Sequence, residues 1–278
     1  GKGIRASGRG AKAVGGAEGP PAKGEVCMKT ERSFLRKGLL VLVCGLLLAM
    51  LMGMGVQAAT YKGMKEGRTY GRFSGTNYFR INVKRSGCLS IQAYRRLSSG
   101  ATAKASVGLY NSRGKAVDKY WRPTSKKNNY AVYYGVKKGT YYIAMKGSSG
   151  CYIKYKFTSV SENSGSTRSK SKTIAENANR NGILTAGESG SKSDWYKIRV
   201  VNRSSIALYF DSLNNGGKIA VQVYSPRLRF NKTYVSTGDW AKRFSFSSGK
   251  KIRGMFYIRV YRYQNNSATS GAYTLRWT

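Results

Sequence analysis

Trp195-Tyr196-Lys197-Ile198-Arg199-Val200 and Tyr78-Phe79-Arg80-Ile81-Asn82-Val83 carry one pattern: aromatic, aromatic, basic, isoleucine, polar, valine. Successive side chains of a strand point to opposite faces, so this alternation marks a strand buried on one side. Tyr196, Ile198 and Val200 point one way, and Trp195, Lys197 and Arg199 the other. The same strand written twice also means a repeated unit.

Working outward, further blocks match in the same order. Leu89-Ser90-Ile91 answers Ile206-Ala207-Leu208, and Val107-Gly108-Leu109-Tyr110 answers Val221-Gln222-Val223-Tyr224. Gly139-Thr140-Tyr141-Tyr142-Ile143 answers Gly254-Met255-Phe256-Tyr257-Ile258, and Ser149-Gly150-Cys151-Tyr152 answers Ser270-Gly271-Ala272-Tyr273. Gly, Ser and Asn clusters separate the blocks as turns do, and no long amphipathic pattern interrupts them. The expected fold is all-β: two tandem antiparallel β-sandwiches at 59–160 and 173–278. The polar segment 161–172 between them reads as a flexible linker. In the last strand the apolar set is Tyr273, Leu275 and Trp277 in one unit and Ile153, Tyr155 and Phe157 in the other, displaced by one position. A slip of one flips every side chain, so a bulge or a different turn length is expected there.

Upstream, residues 1–27 are rich in Gly, Ala and Lys without apolar period and read as an unstructured basic extension; a nucleic-acid arm is the alternative. From Met28 a basic stretch leads into the uncharged run Leu39 to Val56, then Val56-Gln57-Ala58. This is the pattern of a secretory signal peptide over 28–58, forming a helix and cleaved before Ala59. An uncleaved anchor is the rival reading, because the run is long enough to span a bilayer. The protein is thus expected to be secreted or held at the cell surface, touching a membrane only through this segment.

The chain has 278 residues and no histidine, which removes Ser-His-Asp and Cys-His triads and His-bearing zinc sites. Fifty Lys and Arg face 11 Asp and Glu, too few carboxylates for a rich acidic metal cage. Residues 59–278 keep 41 basic and eight acidic side chains, a net charge of +33. Their two cysteines, Cys88 and Cys151, form an even pair past a membrane and read as a disulfide, with two buried thiols as the alternative. Strand alternation places the two on different faces unless strand ends bring them together.

The blocks resemble the bacterial pre-peptidase C-terminal domain, a jelly-roll-like β-sandwich. The resemblance rests on Ser193-Asp194-Trp195-Tyr196-Lys197-Ile198, the strand Val221 to Tyr224, the strand Gly254 to Val260, and Ser270-Gly271-Ala272-Tyr273-Thr274-Leu275. It covers nearly all of 173–278; 61–157 match less closely, with Asn77 standing where Asp194 stands. What it implies is a non-catalytic accessory or binding module, some of whose relatives bind collagen or carbohydrate. Some also bind calcium through a Glu-Asn-Asp segment. The matching place reads Glu176-Asn177-Ala178-Asn179, which lacks the further Asp, and neither metal nor cofactor is expected.

The functional lever is charge. A net of +33 creates a field that favours polyanions. The expected partner is an anionic polysaccharide or cell-wall polymer at the envelope; the alternative is an extracellular protein such as collagen. Aromatic rings interleave with cations on the outward faces: Tyr78 and Arg80 in the first unit, and Trp195, Lys197, Arg199, Tyr257, Arg259 and Tyr261 in the second. Sugars stack on such rings while the neighbouring cations hold sulfate, phosphate or carboxylate. The competing reading is that the rings only pack. No Ser-x-x-Lys stands at a strand-to-helix turn, so no catalytic residue is expected.

Overall fold

The computed structural model describes residues 62–126, 130–237 and 240–278; the extension and the signal segment with its expected helix lie outside the described residues. Alternating sequences become strands throughout, and among the described residues there is no α-helix, only a 3-10 turn at Tyr263–Asn265. The first sheet holds β1 (Lys62–Gly63), β2 (Tyr70–Val83), β3 (Gly87–Arg96), β4 (Thr102–Asn111), β5 (Arg122–Thr124), β6 (Val132–Val136) and β7 (Gly139–Ser159). The second holds β8 (Lys172–Thr173), β9 (Arg180–Leu184), β10 (Ser193–Asn214), β11 (Lys218–Ser225), β12 (Phe230–Thr237), β13 (Trp240–Arg262) and β14 (Gly271–Trp277).

The strand orders are β1-β2-β7-β3-β4-β5, with β6 on β3, and β12-β11-β13-β10-β14-β9, with β8 on β10. Among the described residues every pairing between these strands is antiparallel except two. β1 runs parallel to β2 at Phe79 and Arg80, and β8 parallel to β10 at Tyr196 and Lys197. This corrects the expectation of wholly antiparallel sheets. Each short strand enters alongside a partner that the chain reaches only later, travelling in the same direction.

The long strands fold each sheet over on itself. The first limb of β7 lies between β2 and β4, and its second limb lies against β3. The bend needs glycine: Gly150 has φ +82°, and a Cβ on Gly147 would stand 2.3 Å from Cys151 Sγ. Ile143 and Met145 from one limb therefore share a core with Ile153 and Tyr155 from the other. β10 makes the corresponding turn through register shifts between Val200 and Ser205. Its core gathers Tyr196, Ile198, Phe210, Ile258, Leu275 and Trp277.

Several matched blocks pair alike in the two sheets, with Arg80 opposite Tyr142 and Lys197 opposite Tyr257, but the second sheet carries two longer connections. Tyr70, opposite Ile153, is eight residues before Tyr78 on one strand; Arg180, opposite Leu275, is fifteen before Trp195, and the strand is cut into β9 and β10. Likewise Ile143 and Ile153 are ten apart along β7, while Ile258 and Leu275 are seventeen apart across the gap between β13 and β14. The displaced apolar pattern of the last strand thus reflects connection length. Tyr155 sits opposite Ile91 and Trp277 opposite Leu208, each within its core.

Those longer connections join the two sheets. Ala186 N donates to Gly135 O at 2.7 Å, and Gly135 N donates to Ser270 Oγ at 2.9 Å. Lys137 pairs with Glu188 at 2.6 Å, and the Ala186 side chain packs into the first core. Gly135 is required by this approach: a Cβ there would stand 2.5 Å from Gly271 O and 2.7 Å from Leu184 O. Beside it, Asn215 Nδ2 donates to Asp118 Oδ2 at 2.7 Å, and Asp118 also binds Arg122 at 2.7 Å. Arg262, fully buried, donates to Thr269 O, Ser189 O and Thr185 O at 2.8, 3.3 and 2.6 Å. One guanidinium thereby satisfies carbonyls of both longer connections, which no apolar residue could do.

Two expectations are corrected here. Residues 161–172 are not a flexible linker: Gly165 and Trp195 exchange backbone hydrogen bonds of 2.9 and 2.8 Å, and Ser171 is buried. The segment is a strap laid along β10. Cys88 and Cys151 are buried thiols, not a disulfide. Cys88 stands opposite Thr158 and Cys151 opposite Arg95. They are seven positions apart along one ladder, on the order of 20 Å, far beyond the span of a bridge.

Candidate anion-binding face

Alternation along β10, β11 and β13 turns one set of side chains out of the second core. The register places Trp195 opposite Arg259, Lys197 opposite Tyr257, and Tyr257 opposite Tyr224. The six expected residues of this half, Trp195, Lys197, Arg199, Tyr257, Arg259 and Tyr261, therefore share one face. Arg259 lies 5.6 Å from the Trp195 ring centre and 4.4 Å from that of Tyr261. Tyr224 meets Trp195 edge-on at 6.1 Å and stacks on Tyr257 at 5.5 Å. Trp195 is half-buried, so its ring both packs and presents an open side. Arg168, from the strap, lies 5.9 Å from the Tyr257 ring centre, and its hydrogen bond with Tyr224 raises its pKa further above the ordinary value. Cation–ring contacts contribute about 0.5–1 kcal/mol each at exposed sites; Arg168 is exposed, while Arg259 and the rings are half-buried.

At the Arg199 end this ladder opens into a cleft of about 610 Å³. Arg199, Arg227 and Arg253 line it together with Val201, Met255 and Tyr257. Arg199 comes from β10, Arg253 from β13, and Arg227 from the turn after β11. Three guanidiniums around one opening, beside an aromatic wall, suit a ligand with anionic groups on a ring or chain.

Tyr78 and Arg80 are not brought to this place; they lie on the first sheet. Their surroundings nevertheless repeat the ladder. Tyr78 meets Tyr110 edge-on at 5.7 Å, as Trp195 meets Tyr224, and Arg80 stands opposite Tyr142, as Lys197 stands opposite Tyr257. Burial and the neighbouring Tyr78 raise the Tyr110 pKa. The floor differs. Ala144 and Gly108 replace Arg259 and Gln222, so the first face has fewer cations and a shallow gap, over which Trp121 lies 3.9 Å from where a Gly108 Cβ would stand.

The carboxylates have other work. Among the described residues, Glu66, Asp118, Glu162, Glu176, Glu188 and Asp194 each hold a hydrogen bond or an ion pair. Burial would raise the Glu188 pKa, but hydrogen bonds from Lys137 and Lys192 hold it below the ordinary value. Asp194 is the opposite case. Burial, and then the Glu162 charge, push its pKa up to about 7. Tyr196 and Tyr273 are linked at 2.9 Å, Tyr273 donates to Asp194 at 2.6 Å, and Ser164 Oγ lies 3.0 Å from Asp194 and 3.1 Å from Glu162. A single hydroxyl hydrogen cannot serve both carboxylates. Below that pKa the protonated Asp194 carboxyl donates to Ser164, which then donates to Glu162. Glu176 is paired with Arg203.

Sequence reasoning missed Tyr224, Arg168, Arg227 and Arg253. Tyr224 was accessible from the alternation Val221, Gln222, Val223, Tyr224. Arg168 sits on the strap and Arg227 in a turn, where alternation carries no information; Arg253 lies inside β13 beside Gly254, where the pairing with β10 shifts register.

No family model matches the chain, and no curated protein matches it. Among solved structures, it is similar to the pre-peptidase C-terminal domain of collagenase from Bacillus anthracis, at 18% identity and TM-score 0.29, covering 38% of this chain and 93% of that one. It is also similar to the CUB1-EGF-CUB2 domain of human MASP-1/3, at 9% identity and TM-score 0.22, covering 76% and 99% of the two chains. A third is the CBM22-1-CBM22-2 tandem of Xyn10C from Paenibacillus barcinonensis, at 8% identity and TM-score 0.22, covering 77% and 87%. None of these likenesses assigns the chain to a family.

Proposed function

We propose that this is a secreted or surface-held, non-catalytic binding protein that attaches to an anionic polymer or glycan at the cell envelope. In this reading, signal segment 28–58 exports the chain, and 59–160 and 173–278 are two copies of one β-sandwich module. The strap 161–172 seats the second copy.

The observation that carries the reading is the cleft of Arg199, Arg227 and Arg253 at the end of the Trp195, Tyr224 and Tyr257 ladder. The scaffold spends nearly all its described carboxylates internally, which leaves the outward cations uncompensated. Such a surface draws in polyanions and repels cations. The test is retention of the purified protein on a sulfated polysaccharide and on a polyol-phosphate wall polymer, at low and high salt. Retention should fall steeply with salt, and Trp195→Ala with Tyr257→Ala should weaken it on both polymers. Retention indifferent to salt on both would overturn the reading.

A second reading, attachment to an extracellular protein such as collagen, is favoured by one feature. Tyr120, Trp121 and Tyr130 are 45%, 38% and 46% exposed on loops of the first half. A saturable protein partner that survives high salt would support it.

A further inference from the structure

Beyond the bulge, β10 continues with Leu208 and Phe210 in the core and Tyr209 and Asp211 outward, on the opposite layer from the Trp195 ladder. Tyr209 stands between Arg243 on β13 and Arg276 on β14, its register partners on the two sides. Their guanidinium carbons lie 5.4 and 4.5 Å from the ring centre. Neither arginine forms an ion pair among the described residues. Two like charges gathered at one ring repel each other, and a bound oxyanion relieves that repulsion.

The space in front of them is a cavity of about 420 Å³ lined by Asn179, Tyr209, Asp211, Arg243, Thr274 and Arg276. Asp211 and Thr274 also line a second cavity of about 240 Å³, walled by both sheets, with Tyr133, Val160, Leu213 and Ala272. Together they make a trough that is basic at one end and apolar at the other. Asp211, between the two ends, is exposed, and among the described acidic residues it alone has no hydrogen bond or ion pair. A carboxylate only accepts, so it calls for a hydroxyl or other donor on the ligand and repels a second anionic group.

We infer that this trough is a second binding site, distinct from the Trp195 face, for a hydroxylated chain or sugar ring bearing a single phosphate or sulfate ester. The ester sits between Arg243 and Arg276, hydroxyls donate to Asp211, and the C–H surface lies towards Val160, Leu213 and Ala272. A ligand with densely packed anions is rejected by Asp211. Two sites on opposite layers of one sandwich let the protein cross-link polymer chains instead of only coating one.

The experiment is calorimetric titration of the purified protein with short probes: glycerol monophosphate, a monosulfated disaccharide, the unsulfated disaccharide and inorganic pyrophosphate. One or both ester probes should bind at least about ten-fold more tightly than the unsulfated disaccharide and pyrophosphate. The tighter of the two identifies the ester, and equal binding supports the shared chemistry. Arg243→Gln with Arg276→Gln should abolish that preference. Lys104→Gln with Arg113→Gln, which removes the same charge from exposed positions of the first half that line neither site, should leave it intact. Asp211→Asn should raise pyrophosphate affinity several-fold. Melting curves confirm that the variants fold; if the arginine pair does not, Arg276→Gln alone carries the test. Equal losses in the two charge pairs, or no ester preference in the unaltered protein, would overturn the site while leaving the Trp195 face to be judged on its own salt dependence.

Discussion

Replacing Gly135 by alanine tests how the two sheets are joined. The new Cβ would lie 2.5 Å from Gly271 O and 2.7 Å from Leu184 O, both backbone atoms that cannot swing aside. The contact must open, which strains or breaks the hydrogen bonds from Ala186 N to Gly135 O and from Gly135 N to Ser270 Oγ. Overpacking a fitted contact costs about 1–3 kcal/mol, and each net hydrogen bond contributes about 1 kcal/mol. A loss of about 3 kcal/mol follows, which for a unit of this size lowers the melting temperature by roughly 6–12 °C. Gly139→Ala is the control, since its Cβ would meet only Tyr141 at an ordinary 3.6 Å. Scanning calorimetry should show Gly135→Ala melting well below Gly139→Ala. If the two variants melt together, the account of the junction is wrong.

Three further outcomes are expected. Asp194, with a folded pKa of about 7 against an ordinary 3.8, holds its proton more tightly in the folded state. Its contribution is fully present below pH 4 and is lost as pH climbs through 7, about 4 kcal/mol in all. Urea unfolding from pH 4 to 7 should show this decline, and Asp194→Asn should flatten it; an unchanged slope would refute protonated Asp194. Arg262→Ala leaves the carbonyls of Thr185, Ser189 and Thr269 without their donor and should cost about 3–5 kcal/mol in chemical unfolding. Dithiothreitol should leave the melting temperature unchanged, because Cys88 and Cys151 are already thiols; a drop would restore the disulfide.

Much of the fold could be read from alternation, because burying one face of a strand leaves a period of two. Tyr196, Ile198 and Val200 face the core, and Trp195, Lys197 and Arg199 face out, as their order in the chain requires. What alternation cannot convey is which strands lie side by side. Tyr209 becomes interesting only when Arg243 and Arg276, far along the chain, become its neighbours. The same limit hid the junction. Residues 185–192 and 263–270 look like ordinary polar turns, yet they are where the second half departs from the first and where the sheets meet. Arg262 continues the inward series of Phe256, Ile258 and Val260, an anomaly visible in the sequence; its meaning depends on three carbonyls supplied from elsewhere. The strap was misread for a related reason, since a polar composition does not reveal that backbone groups such as those of Gly165 have a partner strand waiting.

The most direct test of the account is the salt dependence of affinity for a defined polyanion. Binding of the purified protein to a sulfated polysaccharide should weaken linearly in log K against log salt. Arg199→Gln, Arg227→Gln and Arg253→Gln together should reduce the slope, by about one for each phosphate or sulfate contact removed. A slope near zero in the unaltered protein, or one the three substitutions leave untouched, would contradict the claim that these cations grip an anionic polymer.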